Sequence, residues 1–336
     1  MKICIYMPRE VEEIKRKVEN VLAQNNVSYS FLTEKKKREC DIILIVGKDG
    51  DVLSFFSQFP NNKRPVLGIN LSESPGFLTE IPINRLNDAI QKIKNNEFSI
   101  ENIIRIKVIT NHFTAYALNE VAIFPSKSAT LMEYELWIDE EMVWRDYSDG
   151  VIIATPIGST AYAMSAGGAF ISPKARVFEI VSVNSMDISR RPIIVPCNSI
   201  IEIKNISCRY SPEIVIDGSI RHVVRGSVTI KKSEIPARFI KIDRAETIHD
   251  RIRKKIELSK EILDLPPSAK FVLKILEYEG ALSQSDIVNK TLLPSRTVRY
   301  ALSLLLKRGL IREKELLGRD ARRKIYYIPP PEEMRQ

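Results

Sequence analysis

Histidine and cysteine are scarce in this chain: three histidines and four cysteines in 336 residues. The histidines (His112, His222, His249) stand far apart, and none is spaced with a cysteine as metal ligands are. A zinc site held by the protein is therefore not expected. The cysteines (Cys4, Cys40, Cys197, Cys208) form no CxxC pair. Scattered in this way, they read as reduced, mostly structural thiols of a cytoplasmic protein. No apolar run reaches the ~18 residues of a membrane-spanning helix. The opening stretch, MKICIYMPREVEEIK, is apolar too briefly, and too soon acidic, for a secretory signal. The expected location is the cytoplasm, with no membrane partner. Glycine is sparse as well, with 13 residues, about 4% against a typical ~7%. A chain sparing with glycine places it where the backbone demands it.

What remains is an ordinary globular composition, 44% hydrophobic and 28% charged. The length predicts roughly two domains at ~150 residues each. The net charge of +9 is uneven: residues 265–336 hold 14 Lys/Arg against 8 Asp/Glu. Such asymmetry points to an appended module with a polyanionic partner, or to a basic solvated surface.

Strand and helix patterns alternate at the start. Residues 2–7 read as a strand and 9–24 as a helix, with Val11, Ile14, Val18, Val21 and Leu22 at helical spacing. Residues 41–46 (DIILIV) form a continuous apolar run, the mark of a central parallel strand. A helix over 51–59 and a strand over 65–69 follow, the signature of an open α/β domain. After residue 100 the chain turns strand-rich, with runs at 103–110, 113–124, 129–138, 141–145, 151–155, 193–196, 200–206, 213–217 and 227–230. This predicts a sandwich or layered sheets. Residues 237–243 read as a strand returning to the first domain, and 249–263 as a charged helix.

Four segments carry chemistry. Gly47-Lys48-Asp49-Gly50 follows the buried strand. It reads either as a plain strand-to-helix turn or as a phosphate cradle, in which Asp49 is placed to take a proton from a substrate hydroxyl. Gly76-Phe77-Leu78 ends the loop after the next strand, with Phe77 either packing the loop or stacking on a base. Asn119-Glu120 interrupts an apolar run, so the pair lies at a strand end or hydrogen-bonds a ligand. The segment from Asp149 to Gly168 (DGVIIATPIGSTAYAMSAGG) runs from a strand into small and hydroxyl residues. There Ser159 or Thr160 reads as a helix cap and the helix start as an anion site.

In this order the segments resemble the NAD kinase family over about residues 1–258, with Asp217-Gly218 matching a further motif. The resemblance implies Mg²⁺-dependent phosphoryl transfer from ATP or polyphosphate to the 2′-hydroxyl of the adenosine ribose of NAD. It implies Asp49 as the catalytic residue. It implies Gly47, Lys48, Gly50, Phe77, Asn119, Glu120, Asp149, Thr155, Ser159, Thr160, Ala161 and Tyr162 as the residues binding NAD and ATP, and no metal ligand from the protein. It further implies a homodimer or homotetramer. Two departures stand on the phosphate side: Lys48 replaces the family's second glycine, and Asp51 a threonine. They leave open an alternative, a catalytically weak or inactive NAD(P)-sensing transcription regulator.

The C-terminal segment reads as helices over 268–279, from Ser283, and over 296–308 with Ser295 as cap. Strands over 310–316 and 324–328 follow. This resembles a winged helix-turn-helix of the MarR/ArsR type. Such a module implies double-stranded DNA as partner, contacted by Arg296, Thr297, Arg299 and Tyr300 on the third helix and by Arg319, Arg322 and Arg323 in the wing. The expected fold class is therefore α/β plus all-β. A Rossmann-like α/β phosphate-donor domain spans 1–100, with 237–258 returning to it. A strand-rich NAD-binding domain spans 101–236, a linker 259–267 and a winged-helix domain 268–330.

Overall fold

The computed structural model describes residues 1–8, 12–32, 40–71, 76–127, 130–242, 265–279, 281–308, 310–315 and 324–328. The helix expected over 249–263 lies outside them. The chain forms two compact units, Met1–Arg244 and Ala245–Gln336.

The first unit begins with strand–helix alternation: β1 (Lys2–Tyr6), α1 (Glu12–Gln24), β2 (Ser28–Phe31), β3 (Ile42–Val46), α2 (Asp49–Gln58), β4 (Val66–Asn70), β5 (Ile81–Pro82), α3 (Leu86–Lys94) and β6 (Ser99–Ile103). All five residues of β3 are buried, and it pairs in parallel with β1 and β4. A strand covered on both faces needs an unbroken apolar run, which is what DIILIV supplies. Alternate residues of β1 and β3 feed two apolar clusters, one beneath α1 and α3 and the other beneath α2. Helix α3, not foreseen, buries Leu86, Ala89, Ile90 and Ile93 at helical spacing.

The chain then builds β7 (Ile106–Ile109), β8 (Thr114–Ala117), β9 (Glu120–Pro125), β10 (Met132–Ile138), β11 (Glu141–Ser148), β12 (Gly150–Ala154), α4 (Tyr162–Ser165), β13 (Val177–Val183), β14 (Ile193–Pro196), β15 (Ile201–Cys208), β16 (Pro212–Ile216), β17 (Ile220–Val223) and β18 (Val228–Lys232). Two six-stranded sheets result, ordered β11-β10-β15-β18-β7-β8 and β14-β13-β12-β9-β16-β17. One apolar cluster fills the space between them. A last strand, β19 (Ala237–Lys241), returns to the first sheet between β4 and β6, giving the order β2-β1-β3-β4-β19-β6 with β5 beside β4.

Two continuous runs in the sequence are broken in the structure. Residues 103–110 divide at Ile104-Arg105, because β6 belongs to the first sheet and β7 to the sandwich. The layers therefore part at residue 104 rather than at 100. Residues 113–124 divide at Leu118-Asn119, where the chain passes from one sandwich sheet to the other. The cysteines also differ from expectation. Cys4, on β1, and Cys40, two residues before β3, form a disulfide, their Cα atoms 5.8 Å apart across 36 residues. Cys197 and Cys208 are free thiols.

The second unit holds α5 (Pro267–Glu279), β20 (Leu282–Ser283), α6 (Gln284–Thr291), α7 (Ser295–Lys307), β21 (Arg312–Glu315) and β22 (Lys324–Tyr327). Its three strands pair in the order β20-β22-β21. Val298, Ala301, Leu302 and Leu305 of α7 enter its core with Ala269, Val272 and Leu276 of α5. Pro267 is the first residue of α5, where proline's missing N–H costs nothing. Ser283 caps α6, accepting the Asp286 N–H at 3.2 Å. Ser295 is not a cap as expected: it is the first residue of α7 and Pro294 precedes it.

Tyr134 of β10 ties the sandwich together. Its buried hydroxyl meets Ser182 of β13 at 2.7 Å and donates to Asp146 of β11 at 3.1 Å, and burial pushes the phenol well above its ordinary pKa. Tyr134→Phe takes a donor from the buried Asp146 carboxylate and an acceptor from the Ser182 hydroxyl. It is expected to destabilise this unit by about 1–2 kcal/mol, read by urea unfolding through Trp137 on β10 and Trp144 on β11. An unchanged midpoint would mean the two bonds add nothing.

Candidate active site

One half of the site forms where β3 ends and α2 begins. Lys48 is the N-cap of α2 at φ −93°, ψ 174°. That is extended backbone open to any residue, so a lysine stands there unstrained where the resemblance has glycine. Its side chain is exposed. Asp51 Oδ2 accepts the Lys48 N–H at 2.7 Å, so this carboxylate is turned back as the reciprocal partner of a helix cap. Gly47 makes room for it: a Cβ there would stand 2.8 Å from Asp51 Cγ. At Gly50 a Cβ would meet nothing within 4 Å, so the fold itself does not require bare backbone at that point.

Asp49, in the first turn of α2, is held by the Gly76-Phe77-Leu78 loop. Its Oδ2 accepts the Phe77 N–H at 2.8 Å. Its Oδ1 accepts the Leu78 and Thr79 N–H groups at 2.9 and 3.1 Å, and the Thr79 hydroxyl at 3.3 Å. Gly76 is obligatory here, since a Cβ would stand 2.8 Å from Asp49 Cγ. Oδ2 takes a single N–H from the loop and keeps a lone pair for a hydroxyl.

The other half forms at the sheet-changing corner, residues 118–120. Three N–H groups there converge on the Asp217 carboxylate: Leu118 at 2.9 Å, Asn119 at 2.8 Å and Glu120 at 3.2 Å. Asp217 and Gly218 adopt left-handed backbone, φ 47° and 69°, in the turn between β16 and β17. Burial pushes the Asp217 carboxyl up to about 6 against the three N–H donors and Arg105, so it is ionised at neutral pH. Residues 155–158 close the corner from the opposite side. The Thr155 N–H donates to Asn119 O at 2.8 Å and its hydroxyl to Leu118 O at 2.7 Å. A Cβ on Gly158 would stand 2.7 Å from Asn119 Cα. Leu118 and Ile157 pack with Val52, Phe55 and Phe56 of α2, so the two halves share one apolar floor.

Of the residues expected to bind ligand, Glu120 is buried, Asn119, Asp149, Thr160, Ala161 and Phe77 are half-buried, and Tyr162 is exposed. The Tyr162 phenol is raised by burial, then by the carboxylates of Glu120 and Asp149, with Arg221 opposing, which places these groups in one neighbourhood. Asp149 also accepts from the Asn184 amide at 2.9 Å. Thr155 and Ser159 depart from expectation, both 0% exposed. The Ser159 hydroxyl donates to Pro156 O at 2.7 Å and accepts the Ile171 N–H at 3.1 Å, and the Thr160 hydroxyl donates to Ile157 O at 3.2 Å. These hydroxyls shape the loop; none caps α4, whose N-cap is Ala161. Thr79, Asp217 and Arg221 were not foreseen as site residues. The Asp217-Gly218 dipeptide was the available signal, since that pair suits left-handed turns. Among the described residues no group of three or more His, Cys, Asp or Glu is placed to hold a metal ion.

Asp217 sets a pH test. Its folded pKa, near 6, lies above that of an unfolded aspartate, so its stabilising contribution is full below the unfolded value and is lost as pH rises through 6. The stability advantage of the wild type over Asp217→Asn is therefore expected to be largest near pH ~4 and to shrink toward pH ~7. Urea unfolding across that range measures it. An advantage that grows with pH would contradict the assignment.

Comparison with known proteins follows the same geometry. Residues 5–98 match the model of the ATP-NAD kinase N-terminal domain, and residues 118–242 that of the ATP-NAD kinase C-terminal domain. An NAD kinase from Methanothermobacter thermautotrophicus is 33% identical over 223 residues, 66% of this chain and 78% of that protein. The crystal structure of an NAD kinase from Archaeoglobus fulgidus in complex with ATP superposes with TM-score 0.63 at 27% identity, covering 76% of this chain and 98% of the other. Yeast NADH kinase complexed with NADH shares the fold, with TM-score 0.66 at 20% identity over 80% of this chain and 89% of the other. Both family halves thus fall, in order, on the residues that build the two halves of the site, and the chain belongs to the NAD kinase family of phosphotransferases.

Proposed function

We propose that the first unit transfers the terminal phosphoryl group of ATP, or of polyphosphate, to the 2′-hydroxyl of the adenosine ribose of NAD, giving NADP. The observation that carries this reading is the Asp49 carboxylate, oriented by three backbone amides with a lone pair left on Oδ2. The ribose hydroxyl donates to Oδ2, and its oxygen is aligned on the terminal phosphorus. As the new O–P bond forms, the bond to the leaving phosphate oxygen breaks, and the hydroxyl proton passes to Asp49. Positioning and charge do most of the work in such a transfer. Gly47, Gly50 and the positive end of α2 face the donor phosphates, and the Lys48 ammonium adds a cation. Mg²⁺ enters on the donor as part of the substrate. Asn119 and Glu120 take the adenosine; Asp149, Thr160, Ala161 and Tyr162 line the same side; Phe77 closes over the base. The resemblance adds a dimer or tetramer and a cytoplasmic location.

The alternative, a regulator without turnover, rested on Lys48 and Asp51. Against it, Lys48 is unstrained and the Asp51 carboxylate is engaged with the Lys48 N–H at the helix start, so neither disturbs Asp49. Asp49→Asn is expected to lower kcat for NADP formation by at least ~10²-fold, with NAD affinity by calorimetry little changed. Wild-type protein that binds NAD but makes no NADP with ATP and Mg²⁺ would restore the regulator reading.

The second unit we read as a winged helix-turn-helix module that binds double-stranded DNA. In support, the buried side of α7 leaves Arg296, Arg299 and Tyr300 exposed together, Tyr300 by 61%, while Thr297 is half-buried. Arginine forks suit phosphates and guanine edges. Arg319, Arg322 and Arg323 lie outside the described residues. The double variant Arg296→Ala/Arg299→Ala is expected to weaken binding of the full chain to a random duplex and to lower the salt slope by about 2. Fluorescence anisotropy across a salt series reads both, and identical curves for the two proteins would discard the assignment.

A further inference from the structure

Arg105 is the largest fully buried side chain of the protein's described residues, 0% exposed. It stands in the break between β6 and β7, where the chain leaves the first sheet for the sandwich. Nη1 donates to Pro60 O at 2.8 Å and Nη2 to Phe56 O at 2.9 Å. Phe56 lies in the last turn of α2, the helix whose first residue is Asp49, and Pro60 follows its end by two residues. The guanidinium carbon lies 5.3 Å from the ring centroid of Phe56, on α2, and 5.3 Å from that of Tyr116, on β8. Tyr116 precedes the 118–120 corner by two residues. One guanidinium thus grips the far end of the helix carrying Asp49 and the strand leading into Asn119-Glu120.

We infer that Arg105 is a positioning residue that registers Asp49 against the Asn119–Glu120 corner; this rests on the kinase reading above. Stability alone is a poor reason for its place. A buried cation is costly unless fully paired, and Arg105 Nε has no hydrogen-bond partner. Burial lowers its pKa only to about 10, with Asp217 acting in the opposite direction, so it stays charged at neutral pH. A ten-residue helix is ~15 Å long, so a small tilt at the end held by Arg105 displaces Asp49 at the other. A misplacement of ~1 Å between reacting groups costs ~10²-fold in rate. Each half of the site would survive such a tilt, because Asp49 is held by 77–79 and the corner by Asp217.

The test is steady-state kinetics of NADP formation on the full chain, with separate binding of NAD and ATP by calorimetry, for wild type, Arg105→Lys and Tyr116→Leu. Tyr116→Leu leaves both carbonyl bonds in place and removes only the β8 side of the grip, so it remains informative if Arg105→Lys fails to fold. The expected result is a fall in kcat of ~10-fold or more, with the dissociation constants of both substrates within about twofold. Unchanged kcat in folded variants would overturn the inference and leave Arg105 a structural residue. Loss of both affinities along with kcat would also overturn it, indicating collapse of the halves rather than their misregister. A wild type that makes no NADP overturns the kinase reading itself, and this inference with it.

Discussion

Backbone amides that leave a sheet must find another acceptor, and at this site two carboxylates take six of them. Asp49 gathers the N–H groups of residues 77–79 and Asp217 those of residues 118–120. An unmet buried amide costs as much as a lost hydrogen bond or more, so each carboxylate decides the path of a segment it does not belong to. The two glycine-marked turns exist around this demand. Gly76 clears space for Asp49, and the left-handed Asp217-Gly218 turn aims the second carboxylate at its corner. The binding surface is what remains exposed once these amides are satisfied.

The same logic accounts for the departures from the family motif. Glycine at position 48 is not demanded by the backbone, and a threonine or an aspartate at 51 both suit a helix start. Exchanging them alters the charge at the start of α2 and leaves the geometry of Asp49 alone. Gly50 is the contrasting case: nothing in the fold crowds it, yet glycine in a helix costs about 1 kcal/mol relative to alanine. A residue that weakens its own helix without relieving a clash fits a place where a ligand approaches the backbone.

The two units differ in how they present charge. In the first, a few charged groups are buried, as Arg105, Asp217 and Asp146 are. In the second, the apolar face of α7 is consumed by its own small core and the arginines are left outside.

Several features were legible along the chain because they follow from short-range physics. DIILIV announced a strand buried on both faces, the α7 pattern announced its inner face, and the four motifs announced a family and Asp49. Other features were decided only when distant segments met. The runs at 103–110 and 113–124 look continuous because alternation reports only that one face is buried, not which sheet buries it. The Ser159 and Thr155 hydroxyls look free until the chain folds and they bind the carbonyls of Pro156 and Leu118. Asp217 lies almost a hundred residues from the amides it holds, and Arg105 reads as one more surface arginine until α2 and β8 close around it. Periodicity therefore determined the elements, and the order of the motifs carried the resemblance to the family. The tertiary structure decided which backbone amides each carboxylate holds, because only contact between distant segments determines which buried polar groups have partners.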